Sequence, residues 1–272
     1  MSDFLTEMSR ASFLRARATR ESAGAALLQS QAASALPPST LRLDPSGFDV
    51  IAEVKLASPS EGRLVEDESP RTVVSLAGSY VSNGAAAVSV LTEPDRFAGS
   101  LEHLEEAAES VAAPVMRKDF LVDPIQVVEA RAAGASGVLL IARMVPGDAL
   151  EEMTDLAISH GMFVLVEVFD RSDLEKAATV FDREVLVGVN CRDLANLGID
   201  RSRFEALAPH LPDHLPAIAE SGMTAPEHVA SVAALGYRMA LVGSTLVSDP
   251  DPGAKLGRFL SAGRHALGRV SS

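Results

Sequence analysis

Residues 114–141 read PVMRKDFLVDPIQVVEARAAGASGVLLI and contain one complete strand–helix–strand unit. Pro114–Met116 begins an apolar run that ends in a charged triplet, Arg117-Lys118-Asp119. Asp123-Pro124 with Gln126 has the layout of a capping box, in which the Asp side chain and the N3 residue satisfy free N–H groups at a helix start. Ala, Val and Glu follow at helical spacing, and Gly137–Ile141 forms a second apolar run. Runs that are apolar on nearly every residue belong to strands covered on both faces, as in a parallel sheet.

The unit recurs along the chain. The apolar runs are Val50–Val54, Ala86–Leu91, Pro114–Met116, Gly137–Ile141, Phe163–Val168, Val185–Val189, Ala217–Ala219 and Met239–Val242. Ser172 with Glu175 and Thr224 with Glu227 repeat the capping-box layout. Eight βα units in about 220 residues predict an α/β fold, the (β/α)8 TIM barrel. An open doubly wound sheet is the alternative, weakened because no Gly-x-Gly-x-x-Gly follows the first run. In residues 1–47, Phe4-Leu5, Met8 and Phe13-Leu14 recur at helical spacing, and an Ala-rich segment ends before Pro37-Pro38. These residues predict a helical extension, so that 1–272 is a single barrel domain.

Composition removes several function classes. Of 272 residues, 24 are Lys or Arg and 37 are Asp or Glu, a formal charge of −13 with no basic block. A nucleic-acid groove needs a positive face to displace counterions, so nucleic acid is excluded as a partner. No apolar run approaches the roughly 20 residues that cross a bilayer. The first twenty residues mix Asp3 and Glu7 with four Arg and carry no apolar segment of signal-peptide type. Cys191, the single cysteine, forms neither an internal disulfide nor a zinc cluster. The expectation is a soluble, cytoplasmic protein.

The cations comprise 20 Arg and only four Lys: Lys55, Lys118, Lys176 and Lys255. Lys can give up a proton, whereas guanidinium stays charged, so the placement of these four carries information. Chemistry in a (β/α)8 barrel is built at the C-terminal strand ends. Glu53 and Lys55 lie there on strand 1, two residues apart and so on one face. Lys118 follows on strand 3, Glu167 on strand 5, Asn190 and Arg192 on strand 6, and Glu220-Ser221-Gly222 on strand 7. Strand 8 ends in Gly243-Ser244. Charges in apolar strands are costly unless paired, so the structural alternative is an ion-pair network closing the barrel top. The functional reading is general acid–base catalysis. The small residues after strands 7 and 8 let backbone N–H groups approach an anion, the usual phosphate position of this fold. A small phosphorylated substrate handled by Lys and Glu, without metal or redox cofactor, is expected. None of His103, His160, His210, His214, His228 or His265 adjoins these motifs.

The strings AEVKLASPS, VMRKDFLVDPIQ, GVNCRDL, AESGM and LVGS occur in this order. Together they resemble indole-3-glycerol phosphate synthase, the ring-closing enzyme family of tryptophan biosynthesis. The resemblance implies conversion of 1-(2-carboxyphenylamino)-1-deoxyribulose 5-phosphate to indole-3-glycerol phosphate, carbon dioxide and water. It makes Lys118 the general acid at the substrate carbonyl oxygen, and Glu167 the base or cation stabiliser of the later dehydration. Lys55 matches the lysine that holds substrate negative charge and assists proton transfer. Glu53, Asn190 and Glu220 match further polar positions of the active site. Ser221, Gly222, Gly243 and Ser244 match phosphate-loop residues. Ser58 falls within the matching SPS segment, and Pro59, Phe97, Phe120 and Arg192 match walls of the anthranilate pocket. Association with other tryptophan-pathway enzymes is a further implication.

Two positions depart from that family. Leu56 stands where Lys or Arg is usual, and Glu61 follows the SPS segment where a basic residue is common. Both changes remove positive charge near the substrate's anionic groups. They admit a paralogue acting on a substituted anthranilate-derived substrate in a secondary pathway. With no Trp in the extension, an aromatic lid falls to Phe4 or Phe13. Other readings are a phosphoribosylanthranilate isomerase, a Schiff-base aldolase using Lys118, and a non-catalytic phospho-ligand-binding subunit. The isomerase would place a Cys where Glu53 stands, and binding alone does not need three rim glutamates.

Overall fold

A computed structural model describes residues 3–22, 24–44, 47–193 and 196–270. Eight parallel strands close into a barrel. They are β1 (Asp49–Val54), β2 (Ala87–Leu91), β3 (Val115–Lys118) and β4 (Gly137–Ile141). The circle continues through β5 (Phe163–Val168), β6 (Leu186–Asn190), β7 (Ala217–Glu220) and β8 (Met239–Val242), which pairs with β1. The expected (β/α)8 barrel is therefore present. Strands β3, β6 and β7 run further toward their C-terminal ends than apolarity alone predicts. Lys118, Asn190 and Glu220 accordingly lie within strands, not after them.

Side-chain parity sorts the barrel into two cores. On β1, Ile51 points inward with Met116, Leu139, Leu165, Ile218 and Leu241. Val50, Ala52 and Val54 point outward, against the surrounding helices. The interior is thus packed side chain to side chain below the polar rim, as expected of a barrel of this size.

The extension consists of α1 (Asp3–Glu21) and α2 (Ala25–Ser34). Leu5 and Met8 of α1 join the interior cluster at Phe120, Met144 and Phe169, so α1 covers part of the C-terminal mouth. After α2 the chain runs extended toward the other end of the barrel. Ser39 N donates to Ser136 Oγ at 3.0 Å, and Asp44 N donates to Asp49 Oδ2 at 2.9 Å.

The predicted helix starts fare unevenly. Asp123 and Gln126 form the capping box of the helix Pro124–Ala132. Ser172 does not cap. The helix Arg171–Ala177 starts earlier, and the Asp170 side chain accepts from Asp173 N. Thr224 does not cap either: the helix Pro226–Ala234 begins after Ala225, with no side-chain cap. Thr224 Oγ1 instead lies 3.1 Å from His228 Nδ1 and accepts from Arg201 Nη2 at 3.3 Å. Arg201 and His228 take the hydroxyl that the local pattern assigns to the helix start. Among the described residues, no helix is long and apolar enough to cross a membrane.

Candidate active site

The C-terminal mouth of the barrel holds a pocket lined by every rim residue singled out in the sequence. Glu53, Lys55, Lys118, Glu167, Asn190 and Glu220 form its floor; Ser58, Pro59, Phe97, Phe120, Arg192, Ser221, Gly222, Gly243 and Ser244 form its sides. The remaining lysines are elsewhere. Lys176 donates to the Val145 carbonyl, and Lys255 pairs with Asp249 at 3.0 Å.

The floor is an alternation of charges. Lys55 Nζ is 3.3 Å from Glu53 Oε1, and Lys118 Nζ is 3.9 Å from Glu53 Oε2 and 4.0 Å from Glu167 Oε2. Burial works against the Lys118 ammonium, but Glu167, Glu53 and Glu220 outweigh it and raise its pKa above the ordinary lysine value. Lys118 is therefore a charged donor at neutral pH. Glu167 and Glu220 are each 1% exposed. With both groups ionised, Glu167 Oε2 and both carboxylate oxygens of Glu220 accept no hydrogen bond from the described residues. Burial, with the neighbouring Glu167 charge second, pushes the Glu220 carboxyl well above the usual range. A hydrogen bond between the Glu220 and Glu167 side chains, made when one is protonated, adds to the shift, and such buried, poorly satisfied carboxyls at a pocket floor are the mark of a functional-site candidate.

Two glycines make room for these carboxylates. A Cβ on Gly188, the inward position of β6 below Asn190, would stand 2.0 Å from Glu220 Oε1. A Cβ on Gly243 would stand 2.1 Å from Glu53 Oε1. Gly243 is therefore small because Glu53 lies against it, which its assignment to the phosphate loop alone does not convey. Gly188 is a functional position that the charged rim residues do not reveal, although a lone Gly inside the apolar run LVGVN is a sign of close approach.

The side of the mouth expected to take an anion follows β7 and β8. Ser221 and Gly222 both adopt left-handed backbone, with φ of 68° and 71°. For Ser221 this costs about 1–2 kcal/mol, strain of the sort found at ligand sites. Gly222 has a second constraint, since a Cβ there would be 2.9 Å from Cys191 Sγ. The Cys191 thiol is pushed up to about 11, chiefly by burial, and is no nucleophile at neutral pH. His228 was not expected near the site, yet it contacts Thr224, a rim residue.

The opposite side is aromatic. Strands β3 and β7 face each other across an eight-membered ring, so Phe120 stands opposite Ser221. Phe120 packs on Phe97 at 6.0 Å between ring centroids and meets Phe4 edge-on at 5.8 Å. Phe4 is thus the aromatic residue that α1 brings to the pocket, whereas Phe13 is 54% exposed and is not. A buried network holds α1 in place behind Lys118. Arg117 binds Asp119 at 3.2 Å and Glu129 at 3.0 Å, and Asp119 also accepts from Arg15 of α1 at 2.8 Å. Thr92 Oγ1 donates to the same carboxylate at 2.9 Å. Local sequence pattern does not show this network, because Arg15, Thr92 and Asp119 lie far apart in the chain.

Of the two departures, Leu56 requires a correction. It is 2% exposed and packs in the outer core with Val54 and Val73, not in the pocket. Its lack of charge removes nothing from the substrate's side of the strand. Glu61 does line the pocket. Arg192 donates to Ser60 Oγ at 3.2 Å and to the Leu197 carbonyl at 2.8 Å, and its backbone N–H donates to Asn190 Oδ1 at 2.9 Å. Leu194, the last residue of GVNCRDL, lies outside the described residues.

The chain is similar to several known proteins. A 3-hexulose-6-phosphate synthase from Salmonella typhimurium is similar in fold, with a TM-score of 0.63 at 11% identity over 82% of this chain and 100% of that one. An indole-3-glycerol phosphate synthase of a Nocardioides species is 47% identical over 76% of this chain and 78% of its own. One from Mycobacterium leprae is 41% identical over 93% of this chain and 92% of its own. The family described as Indole-3-glycerol phosphate synthase matches residues 9–259. With relatives at that identity over most of both chains, this chain belongs to the indole-3-glycerol phosphate synthase family.

Proposed function

We propose that the chain closes the indole ring of 1-(2-carboxyphenylamino)-1-deoxyribulose 5-phosphate, releasing carbon dioxide and water to give indole-3-glycerol phosphate. The observation that carries this reading is Lys118, a half-buried ammonium between Glu53 and Glu167, with an aromatic wall on one side and serine–glycine loops on the other. The phosphate lies at Ser221, Gly222, Gly243 and Ser244, and the anthranilate ring lies against Phe97, Phe120, Pro59 and Phe4. That orientation sets the ketose carbonyl over Lys118.

Ring closure makes a carbon–carbon bond between the ring carbon bearing the carboxylate and the ketose carbonyl carbon. The carbonyl oxygen becomes an alkoxide, and Lys118 supplies its proton. Carbon dioxide then leaves with its bonding pair retained by the ring. In the dehydration that follows, the new hydroxyl departs as water and the nitrogen carries transient positive charge. Glu167 stabilises this cation or accepts the proton that restores aromaticity. Lys55 holds the substrate's carboxylate and assists proton transfer, while Glu53 fixes both lysines. Glu220 and Asn190 bind the polar chain, Ser58 stands beside the phosphate, and Arg192 closes the ring pocket.

On this reading the protein is a lyase of tryptophan biosynthesis acting in the cytoplasm, and residues 1–272 work as one barrel domain whose first 47 residues complete the pocket. Association with other enzymes of the pathway is inferred from the family resemblance, and co-purification tests it. Turnover of the carboxyphenylamino ribulose phosphate, followed by indole fluorescence, tests the activity, and absence of turnover by the folded protein would remove it.

A further inference from the structure

The loop after β1 folds back on itself, pairing Ala57–Ser58 with Gly62–Arg63, and Gly62 takes the left-handed turn position at φ 72°. Its tip reaches both sides of the mouth. Ser60 Oγ accepts from Arg192 at the end of β6, and Glu61 Oε2 accepts from Ser244 Oγ after β8. Ser58 Oγ donates to the same carboxylate oxygen at 3.3 Å and accepts from Glu61 N at 3.1 Å. Among the described residues, Glu61 has no ion-pair partner, so its negative charge faces the cradle without compensation.

A serine hydroxyl has one proton to donate. When Ser244 gives it to Glu61, a phosphate oxygen at the same place cannot receive it. We propose that Glu61 is a specificity-determining residue of the phosphate cradle. Its carboxylate competes with the substrate's phosphate for Ser244 and disfavours a dianion more than a ligand end of lower charge. The inference rests on the phosphate placement proposed above. It adds that the cradle is self-competed: binding requires the Glu61 side chain to turn out of it, and the loop tip moves with the ligand.

The test uses the full chain and inorganic phosphate. Calorimetry at low ionic strength gives the dissociation constant for wild type, Glu61→Gln, Ser244→Ala and the double variant. Gln keeps the size and the acceptor oxygen but loses the charge. A like charge in contact with a dianion at a part-exposed site is worth about an order of magnitude in affinity. Glu61→Gln is therefore expected to bind phosphate about tenfold more tightly than wild type, with a smaller gain on the Ser244→Ala background, where competition for the hydroxyl is gone and only the charge repulsion is relieved. Equal or weaker binding by Glu61→Gln would overturn the proposal, as would an equal gain on both backgrounds. No phosphate binding by any of the four proteins would overturn it together with the cradle. Loss of the function reading has a different signature, since failed turnover of the ribulose phosphate leaves the four phosphate constants to decide Glu61.

Discussion

Glu53 Oε1 fills the space that any side chain on Gly243 would need, because a Cβ there would stand only 2.1 Å away. The residue that follows β8 is thereby linked to a carboxylate on β1 that touches both rim lysines. Gly188 and Glu220 repeat the relationship on β6 and β7 at 2.0 Å. Space for two carboxylates is reserved by the strand beside each.

Gly243→Ala should consequently damage catalysis before it damages phosphate binding. The methyl group displaces Glu53, and the positions of Lys55 and Lys118 change with it. Displacements of about 1 Å near reacting groups cost about 10²-fold in rate. Steady-state kinetics should show kcat falling far more than the dissociation constant of inorganic phosphate rises. The reverse ordering would return Gly243 to a purely phosphate-binding role.

Lys118→Ala should lower kcat by about 10²-fold or more, the usual range for a general acid being about 10²–10⁴. Lys118→Arg should not restore it, since guanidinium holds its proton. Three buried glutamates raise the lysine's pKa, so Lys118 titration should not limit turnover on the alkaline side until above the ordinary lysine range. A pH–rate profile for wild type and the Arg variant checks both statements.

Glu220 predicts a conflict between stability and activity. Its carboxyl is raised in the folded protein, so the fold prefers the protonated form. The unfolded chain releases that proton near the ordinary glutamate value. As pH rises above that value, stability falls, and the loss continues up to the folded pKa. Glu220→Gln removes this penalty and should raise Tm by a few degrees at neutral pH, about 2–4 °C per kcal/mol in a chain of this size. The gain should vanish near pH 4, where Glu220 is protonated in both states. Activity should fall in the same variant, and thermal melts at two pH values with one assay decide the matter.

Much of this site is legible in the sequence, for a specific reason. Glu53, Lys118 and Glu167 are charges inside apolar strands, and a barrel leaves such residues one place to be. Parity also places Leu56. With Glu53 and Lys55 facing inward, the next residue faces outward with Val54, and the alternation of a strand suffices to say so. Gly188 and Gly243 are less legible, because which neighbouring side chain fills a glycine's space depends on strand register. Thr224 and the Arg117–Asp119–Arg15 network are not legible at all. Arg201 and Arg15 are distant in the chain from Thr224 and Asp119, and local pattern assigns Thr224 to a helix start that never uses it.

Phe4 carries the contribution of α1 to the pocket. Its edge-on contact with Phe120 belongs to a class worth about 0.5–1.5 kcal/mol beyond area burial. Phe4→Ala should raise KM about threefold to tenfold with a smaller effect on kcat, since on the proposed placement of the substrate the ring meets its aromatic end and not Lys118. Phe13→Ala, at an exposed position of the same helix, should leave both constants unchanged. Equal effects from the two would show that α1 acts through its overall stability.

Leu56 is where family pattern and physical placement diverge most, and Leu56→Lys separates them. If charge at this position served the substrate, the added ammonium would lower KM and steepen its salt dependence. The structure puts the side chain in the outer core, 2% exposed and packed with Val54 and Val73. A lysine there must either bury its ammonium or extend its stem toward water between the helices. Both responses disturb a close-packed layer, and the expected cost is about 2 kcal/mol or more. Urea unfolding should therefore show a lower midpoint at unchanged slope. KM for the ribulose phosphate should stay the same at low and high salt, because the side chain at this position packs in the outer core and not in the pocket. A lower KM at low salt that rises as salt is added would mean that the side chain reaches the mouth, and the outward placement of position 56 would then be wrong.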